Sequence, residues 1–440
     1  MSQTSSATAP VPVGRAPQPI AVPAAPAAEP TPLGSAPAEV TQPRGDTPAR
    51  LRRLRLLVVA SGLVLAVLGT TAMALLTLTL RQSADDVEQL VRVQTIETDL
   101  LVADANATNS FLVGGLESPQ RRAAYDAALA EVATLVAQAA QAQPADAAAL
   151  SALNAHVLDY AGLVEAARAN NRQGLPVGAQ YLRQASNGLR ADALPVADAL
   201  VQADTARADA SLTTAWGWVL PVLALGASVV LVVVQLKVAR QFRRRLNPGL
   251  VTATIVLVVL TLVSCVALAT LAVSVGTARS DFKDVSDVGT ARVQGNLAKS
   301  SESLTLIARG SGQAYEQSWR ASDATVLERL SQVRDPGVFT EQWRAYTAVH
   351  TKIRALDDGG SWDDAVGLAV GSANGSSNAA FAPFDQAVAA FVAGSGSGAV
   401  GDLHDHHPGL VLGCVLTFLA GLGAAWSGSR GIAARLKEYR

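Results

Sequence analysis

Four stretches of this chain, residues 56–80, 215–236, 249–275 and 409–429, contain no Asp, Glu, Lys, Arg or His. A helix rises about 1.5 Å per residue, so each stretch reaches, or nearly reaches, across a hydrocarbon layer about 30 Å thick. They predict four transmembrane helices over 54–80, 215–236, 249–275 and 409–429. Composition agrees, because half of the 440 residues are hydrophobic and only 16% are charged, too few charges for a soluble protein of this size. The first fifty residues have no apolar core of a signal peptide, and the first apolar run is too long for one, so it reads as an anchor.

Charge sets the orientation. Segments 1–55, 237–248 and 430–440 sum to +11, whereas the long segments between the membrane helices sum to −12. The positive-inside rule then puts both termini and the middle loop in the cytoplasm, and 81–214 and 276–408 outside the plasma membrane. The basic clusters Arg52, Arg53, Arg55 and Arg243, Arg244, Arg245 serve first as topology determinants. Both are also candidate contacts for anionic membrane lipids, and the second for a cytosolic partner. No nucleic-acid partner is expected. Cys265 and Cys414 fall inside membrane runs, where they form neither a disulfide framework nor a spaced metal site.

Residues 1–50 are rich in Ala, Pro, Ser and Thr without hydrophobic periodicity, and predict a disordered cytosolic tail. Beyond Arg81 the apolar spacing of Val93, Ile96, Leu100, Ala103, Ala107 and Phe111 carries the first membrane helix outward until Gly114 and Gly115 end it. Further helices are predicted from Ser118 to Gln141, from Pro144 to Asn171, and after Gly174 into the second membrane run, with a kink at Pro195. The expected fold is an all-α membrane protein whose 81–214 and 276–408 segments form two extracytoplasmic antiparallel four-helix bundles in tandem repeat. A shift of 195 places Leu90 on Val285, Val93 on Val288, Thr95 on Thr290 and Gly115 on Gly310; with small deletions Tyr160 falls on Tyr346 and Pro195 on Pro383. Each copy crosses twice, so the copies share one orientation.

The membrane runs hold no ionisable group of the kind that binds an ion or relays a proton in carriers, which argues against transport. A Gly-x-Gly-x-x-Gly at Gly396, Gly398 and Gly401 lacks the strand that a dinucleotide site needs and reads as a flexible linker. His404, His406 and His407 beside Asp402 and Asp405 offer donors for a transition metal or a pH-sensitive group; a solvated juxtamembrane loop is the commoner fate of such a run. No catalytic set has a familiar spacing, and neither catalysis nor a cofactor is expected. Trp319, Arg320, Trp343 and Arg344 are candidate partner or ligand contacts, since Trp and Arg dominate interfaces, although the bundle core competes for the aromatics. Gly409/Gly413 and Gly421/Ala425 have the spacing that lets membrane helices approach closely, within the chain or in a homodimer.

Helical external domains continuous with membrane helices have the layout of chemoreceptors, yet no cytoplasmic kinase or coiled-coil segment follows. The length, the Ala-rich composition, the Pro/Ala tail, the paired external domains and the loop Arg-Gln-Phe-Arg-Arg-Arg-Leu-Asn-Pro-Gly over 240–249 together resemble the actinobacterial GlnX family of membrane sensors. That resemblance implies a solute-binding lipoprotein of the GlnH type outside, a soluble Ser/Thr kinase of the PknG type inside, and a non-enzymatic relay of aspartate or glutamate availability between them. A direct small-ligand sensor and an accessory subunit of a transporter are the alternatives.

Overall fold

A computed structural model of the chain describes residues 47–113, 117–211, 215–242, 247–405 and 407–436. Most of the predicted tail, together with Gly114, Gly115, the cluster Arg243, Arg244 and Arg245, and His406, lies outside the described residues. Every regular element among the described residues is a helix, as the missing β alternation predicts.

Helix α1 (Thr47–Val64) passes through one π-helical turn, Leu65–Gly69, into α2 (Thr70–Val113). Helix α3 (Pro119–Ala142) starts where expected, with Ser118 extended ahead of it and Pro at its first turn, where no backbone N–H is needed. A 3₁₀ turn, Pro144–Asp146, leads into α4 (Ala147–Arg172), followed by α5 (Val177–Gly188), a second π turn at Leu189–Ala193 and α6 (Leu194–Ser211). That turn lies just ahead of Pro195, which has no N–H for the carbonyl four residues back, so the helix widens there instead of stopping. A 3₁₀ turn, Ala215–Trp218, precedes α7 (Val219–Phe242).

Helix α8 (Pro248–Ile307) is 60 residues long, or about 90 Å at the usual rise, and starts where the Asn247 side chain accepts the Gly249 N–H at 3.2 Å. Then come α9 (Gln313–Ser331), α10 (Gly337–Asp358), α11 (Trp362–Val370), α12 (Ser377–Asp405) and α13 (His407–Leu436). The flexible linker expected at Gly396, Gly398 and Gly401 is not found: α12 runs through them as helix. Each glycine costs a helix only about 1 kcal/mol, less than abandoning a run of backbone hydrogen bonds at a membrane boundary.

Among the described residues, five stretches are long and apolar enough to cross a membrane: Ala49–Val113, Pro144–Arg172, Val177–Arg240, Pro248–Ile307 and Pro408–Ala434. Four contain the runs that predict spans, and the fifth, over α4, exceeds that expectation. Its apolar stripe of Leu150, Leu153, Val157, Tyr160 and Val164 enters a core shared with Ile96 and Leu100 of α2, Val132 of α3 and Leu182 of α5. A separate core gathers Val288, Trp343, Tyr346, Phe384 and Val388 from α8, α10 and α12. The apolar helices α1, α7, α8 and α13 meet through Leu51, Val58, Leu231, Leu257 and Ala424. The close approach expected of Gly421 occurs inside the chain: a Cβ there would lie 2.7 Å from the Ala66 nitrogen, in the first π turn. Glycine is therefore required where α13 crosses the junction of α1 and α2.

Helices α2 and α8 run side by side in the same direction. One cluster joins Leu76, Leu80 and Ala84 to Leu271 and Val275, and the next joins Val87 and Leu90 to Phe282. Farther along, Gly289 faces Gln94, and Leu112 shares a cluster with Leu306. Leu76 and Leu271, Leu80 and Val275, Val87 and Phe282, and Gln94 and Gly289 are each 195 residues apart in sequence.

Candidate functional site

The α2–α8 contact changes character along its length. It is apolar from Leu76 to Leu90, then becomes a seam of buried polar groups. Gln94 is 3% exposed, yet neither atom of its amide has a hydrogen-bond partner among the described residues. One helical level on, Asp99 is raised to about 6 by burial, with Arg292 opposing and Glu131 and Asp385 reinforcing. Arg292 pairs with Asp385 at 2.8 Å, and Asn296 donates to the same carboxylate at 3.0 Å. Nearby Glu97 is raised to about 8, by burial and then by Asp198.

Asp104, completely buried on α2, is the centre of the seam. It accepts hydrogen bonds from Ser186 at 2.5 Å, from Tyr160 at 3.4 Å and from Ser300 of α8. Arg190, in the second π turn, donates to Ser300 at 2.7 Å and stands 3.7 Å from Asp104. A last link pairs the amides of Asn109 and Asn378 at 3.1 Å. Five consecutive residues, Lys299 to Ser303, are buried on α8. Ser is a weak helix former, and such a run survives where small side chains let two backbones approach and hydroxyls can reach a partner.

Lys299 and Glu302 start a second buried network. Lys299 pairs with Glu302 at 2.7 Å, and Ser377 donates to the same carboxylate at 2.6 Å. The His350 ring bridges Glu302 at 2.9 Å and Glu316 at 3.2 Å, and stacks on Trp319 with centroids 3.7 Å apart. Burial pushes Glu302 up, but Lys299 and His350 overcome it and hold the carboxyl down at about 2. Burial disfavours a charged His350, yet its hydrogen bonds to Glu302 and Glu316 outweigh that and raise the imidazole above its ordinary value. The two carboxylates thus favour the charged form of the ring.

Where α2, α3, α4 and α5 end or begin together, a cavity of about 290 Å³ is lined by Ser110, Phe111, Glu117, Arg122, Arg168 and Arg172 among others. Arg168 lies over the Tyr125 ring and pairs with Glu117 at 2.9 Å and Glu165 at 2.7 Å; Arg122 pairs with Glu165 and Asp126. Arg172 is exposed and makes no ion pair among the described residues, and the Ser110 hydroxyl, buried on the cavity wall, has no partner. The corresponding end of the second half has an 810 Å³ groove lined by Arg309, Glu316, Arg320, Arg354 and Trp362 among others. Arg354 follows Tyr346 by the same eight residues that separate Arg168 from Tyr160.

Of the residues singled out in the sequence, Trp343 is fully buried and Trp319 is 7% exposed, so their rings belong to the second core. Their N–H groups are satisfied inside, Trp319 donating to Tyr346 at 3.1 Å and Trp343 to Asp323 at 2.8 Å. Arg320, paired with Glu316, and Arg344 are on the surface. The Asp104 seam was not anticipated from the sequence. Its available signal is the second stripe on α2, Gln94, Thr98, Asp104, Thr108 and Asn109, too polar to resemble a core yet buried throughout.

The profile of the actinobacterial sensor domain matches residues 79–213, a segment that covers the C-terminal part of α2 together with α3, α4, α5 and α6. No curated protein and no solved structure matches the chain. The half that contains Asp104 and the 290 Å³ cavity thus resembles an actinobacterial sensor domain, which points to a sensing or signalling role.

Proposed function

We propose that this chain is a non-enzymatic transmembrane signal relay, with both termini cytoplasmic, two four-helix-bundle domains outside and four membrane spans arranged as a parallel internal repeat. Its input is the availability of external aspartate or glutamate, presented by a solute-binding lipoprotein, and its output is read by a cytosolic Ser/Thr kinase. One observation carries this reading: α2 and α8 each continue from the apolar cluster to the far end of the outer helices, parallel and joined by a polar seam. A shift of one helix against the other exchanges hydrogen bonds among Asp104, Ser300 and Arg190 and brings the idle Gln94 amide within reach of new ones, so the polar seam can be rearranged without being lost. The shared offset of 195 residues supports the repeat, and the sensor match over 79–213 supports the class of function. A partner that prefers one state moves the balance without chemistry.

The test is crosslinking of the tagged protein in native membranes, with and without external aspartate or glutamate. Capture of a solute-binding lipoprotein outside and a soluble kinase inside, either one changed by the amino acid, is the expected result. Capture of a transport ATPase, or of nothing but copies of the chain, overturns it.

The unpartnered Ser110 hydroxyl and the free Arg172 beside the 290 Å³ cavity favour a second reading, direct binding of a small polar ligand in the first half. It predicts saturable thermal stabilisation of the purified full chain by the ligand alone, with no lipoprotein present.

A further inference from the structure

At the end of the apolar cluster where α1 begins and α7 finishes, the two helices border a groove of about 660 Å³. Its lining is Arg50, Arg53, Leu54 and Leu57 from α1 and Lys237 and Arg240 from α7. Arg50 and Arg53 are three residues apart, as are Lys237 and Arg240, so each pair lies on one face of its helix. All four cations are exposed, and none makes an ion pair among the described residues. Neither helix carries an Asp or Glu to neutralise them. The neighbouring Arg55 is engaged elsewhere, donating to Ser429 of α13 at 2.9 Å. The groove floor is leucine, and just beyond it the helices present exposed Leu56, Leu57, Val233 and Leu236. Concentrated positive charge therefore meets apolar surface at the level where a headgroup meets its acyl chains.

We propose that this groove is a binding site for a dianionic, two-phosphate phospholipid of the cardiolipin class. The α1 pair holds one phosphate, the α7 pair holds the other, and acyl chains lie along Leu57, Val233 and Leu236. A single-phosphate lipid engages one pair and leaves the other facing water. An occupant of this kind bridges the first and second membrane helices of the sensor-bearing half, and its presence ties their spacing to the lipid composition of the membrane.

The experiment is native mass spectrometry of the full-length chain in detergent, titrated with cardiolipin or with phosphatidylglycerol, for the native sequence, Arg53→Gln/Arg240→Gln and Arg53→Lys/Arg240→Lys. The expected result is cardiolipin retained about tenfold or more tightly than phosphatidylglycerol, a preference lost in the Gln pair and kept in the Lys pair. Lys352→Gln, a surface change far along the chain, leaves the preference intact. Equal retention of both lipids, or an unchanged preference in the Gln pair, overturns the proposal. So does displacement of bound cardiolipin by millimolar inorganic phosphate, which assigns the groove to a free anion, or by a synthetic peptide of residues 1–46, which assigns it to the chain's own acidic tail residues. Thermal unfolding of the same proteins in detergent distinguishes a lost site from a misfolded variant, since the Gln and Lys pairs are expected to melt together.

Discussion

Asp104 on α2 and Ser300 on α8 hydrogen-bond to each other although 196 positions separate them in the chain, which makes a fully buried carboxylate the polar link between the two long helices. Replacing Asp104 with Ala strands the hydroxyls of Ser186, Ser300 and Tyr160 and leaves Arg190 facing an uncompensated pocket. The expected loss is roughly 2–4 kcal/mol in denaturant unfolding of the detergent-solubilised protein, with Asp104→Asn losing less because it keeps acceptors in place. An Ala variant as stable as the native chain removes the seam from the list of stabilising contacts.

The register of α2 against α8 has a direct chemical test. With Cys265 and Cys414 replaced by Ala, Gln94→Cys and Gly289→Cys face each other inside one molecule. Mild oxidation is expected to join them quickly and independently of protein concentration, giving a faster-migrating monomer on a non-reducing gel. A concentration-dependent dimer band instead means that the facing helix comes from another copy.

His350 makes the second core sensitive to alkali. Its folded-state value lies above the ordinary 6.5, so its contribution is complete below about pH 6.5 and lost as the pH rises through the folded-state value. Glu97 acts in the same direction: raised to about 8, it remains protonated in the folded chain while the unfolded chain releases the proton, and stability falls as the pH rises from about 4.5 to about 8. Glu302, held at about 2, contributes above about pH 4.5 and loses its contribution as the pH falls toward 2. Unfolding followed from pH 4 to 9 is expected to show a falling alkaline limb, shallower in His350→Gln and in Glu97→Gln and shallowest in the double variant. Parallel limbs in all four proteins refute the assignment.

Ser110 gives the cavity an independent probe. A buried hydroxyl without a partner costs free energy, so Ser110→Ala is expected to stabilise the protein by about 1 kcal/mol while widening the cavity. If a small ligand uses that hydroxyl, the same variant loses the ligand-dependent rise in melting temperature. A destabilised Ser110→Ala protein shows that the hydroxyl has a partner after all.

The helical plan was readable because its signals are local. Pro144, Ser118 and Pro195 act on their own turns, and the apolar stripe from Val93 to Phe111 faces one core. Other features depend on what lies opposite. The Leu65–Gly69 turn has the composition of any membrane helix, and only the approach of Gly421 distinguishes it. Gly396, Gly398 and Gly401 suggested a linker because glycine favours loops when nothing holds it, and here they fall inside one continuous helix, α12. Trp319 and Trp343 suit an interface and a core equally well by residue type, and the stacking of His350, Tyr346 and Phe384 around them decides for the core. Asp104 was invisible for the same reason, since its partners come from α4, α5, the turn at Leu189–Ala193 and α8.

The parallel pairing of α2 and α8 within a single chain has an evolutionary corollary. A receptor built from two copies of one gene product must accept every substitution twice, once on each side of its axis, so neither side can specialise alone. Here each side has its own codons. The two sides already differ: one has a 290 Å³ cavity with an idle hydroxyl, while the other has a buried histidine stacked on a tryptophan. Selection can therefore retune one side while leaving its companion as a fixed reference.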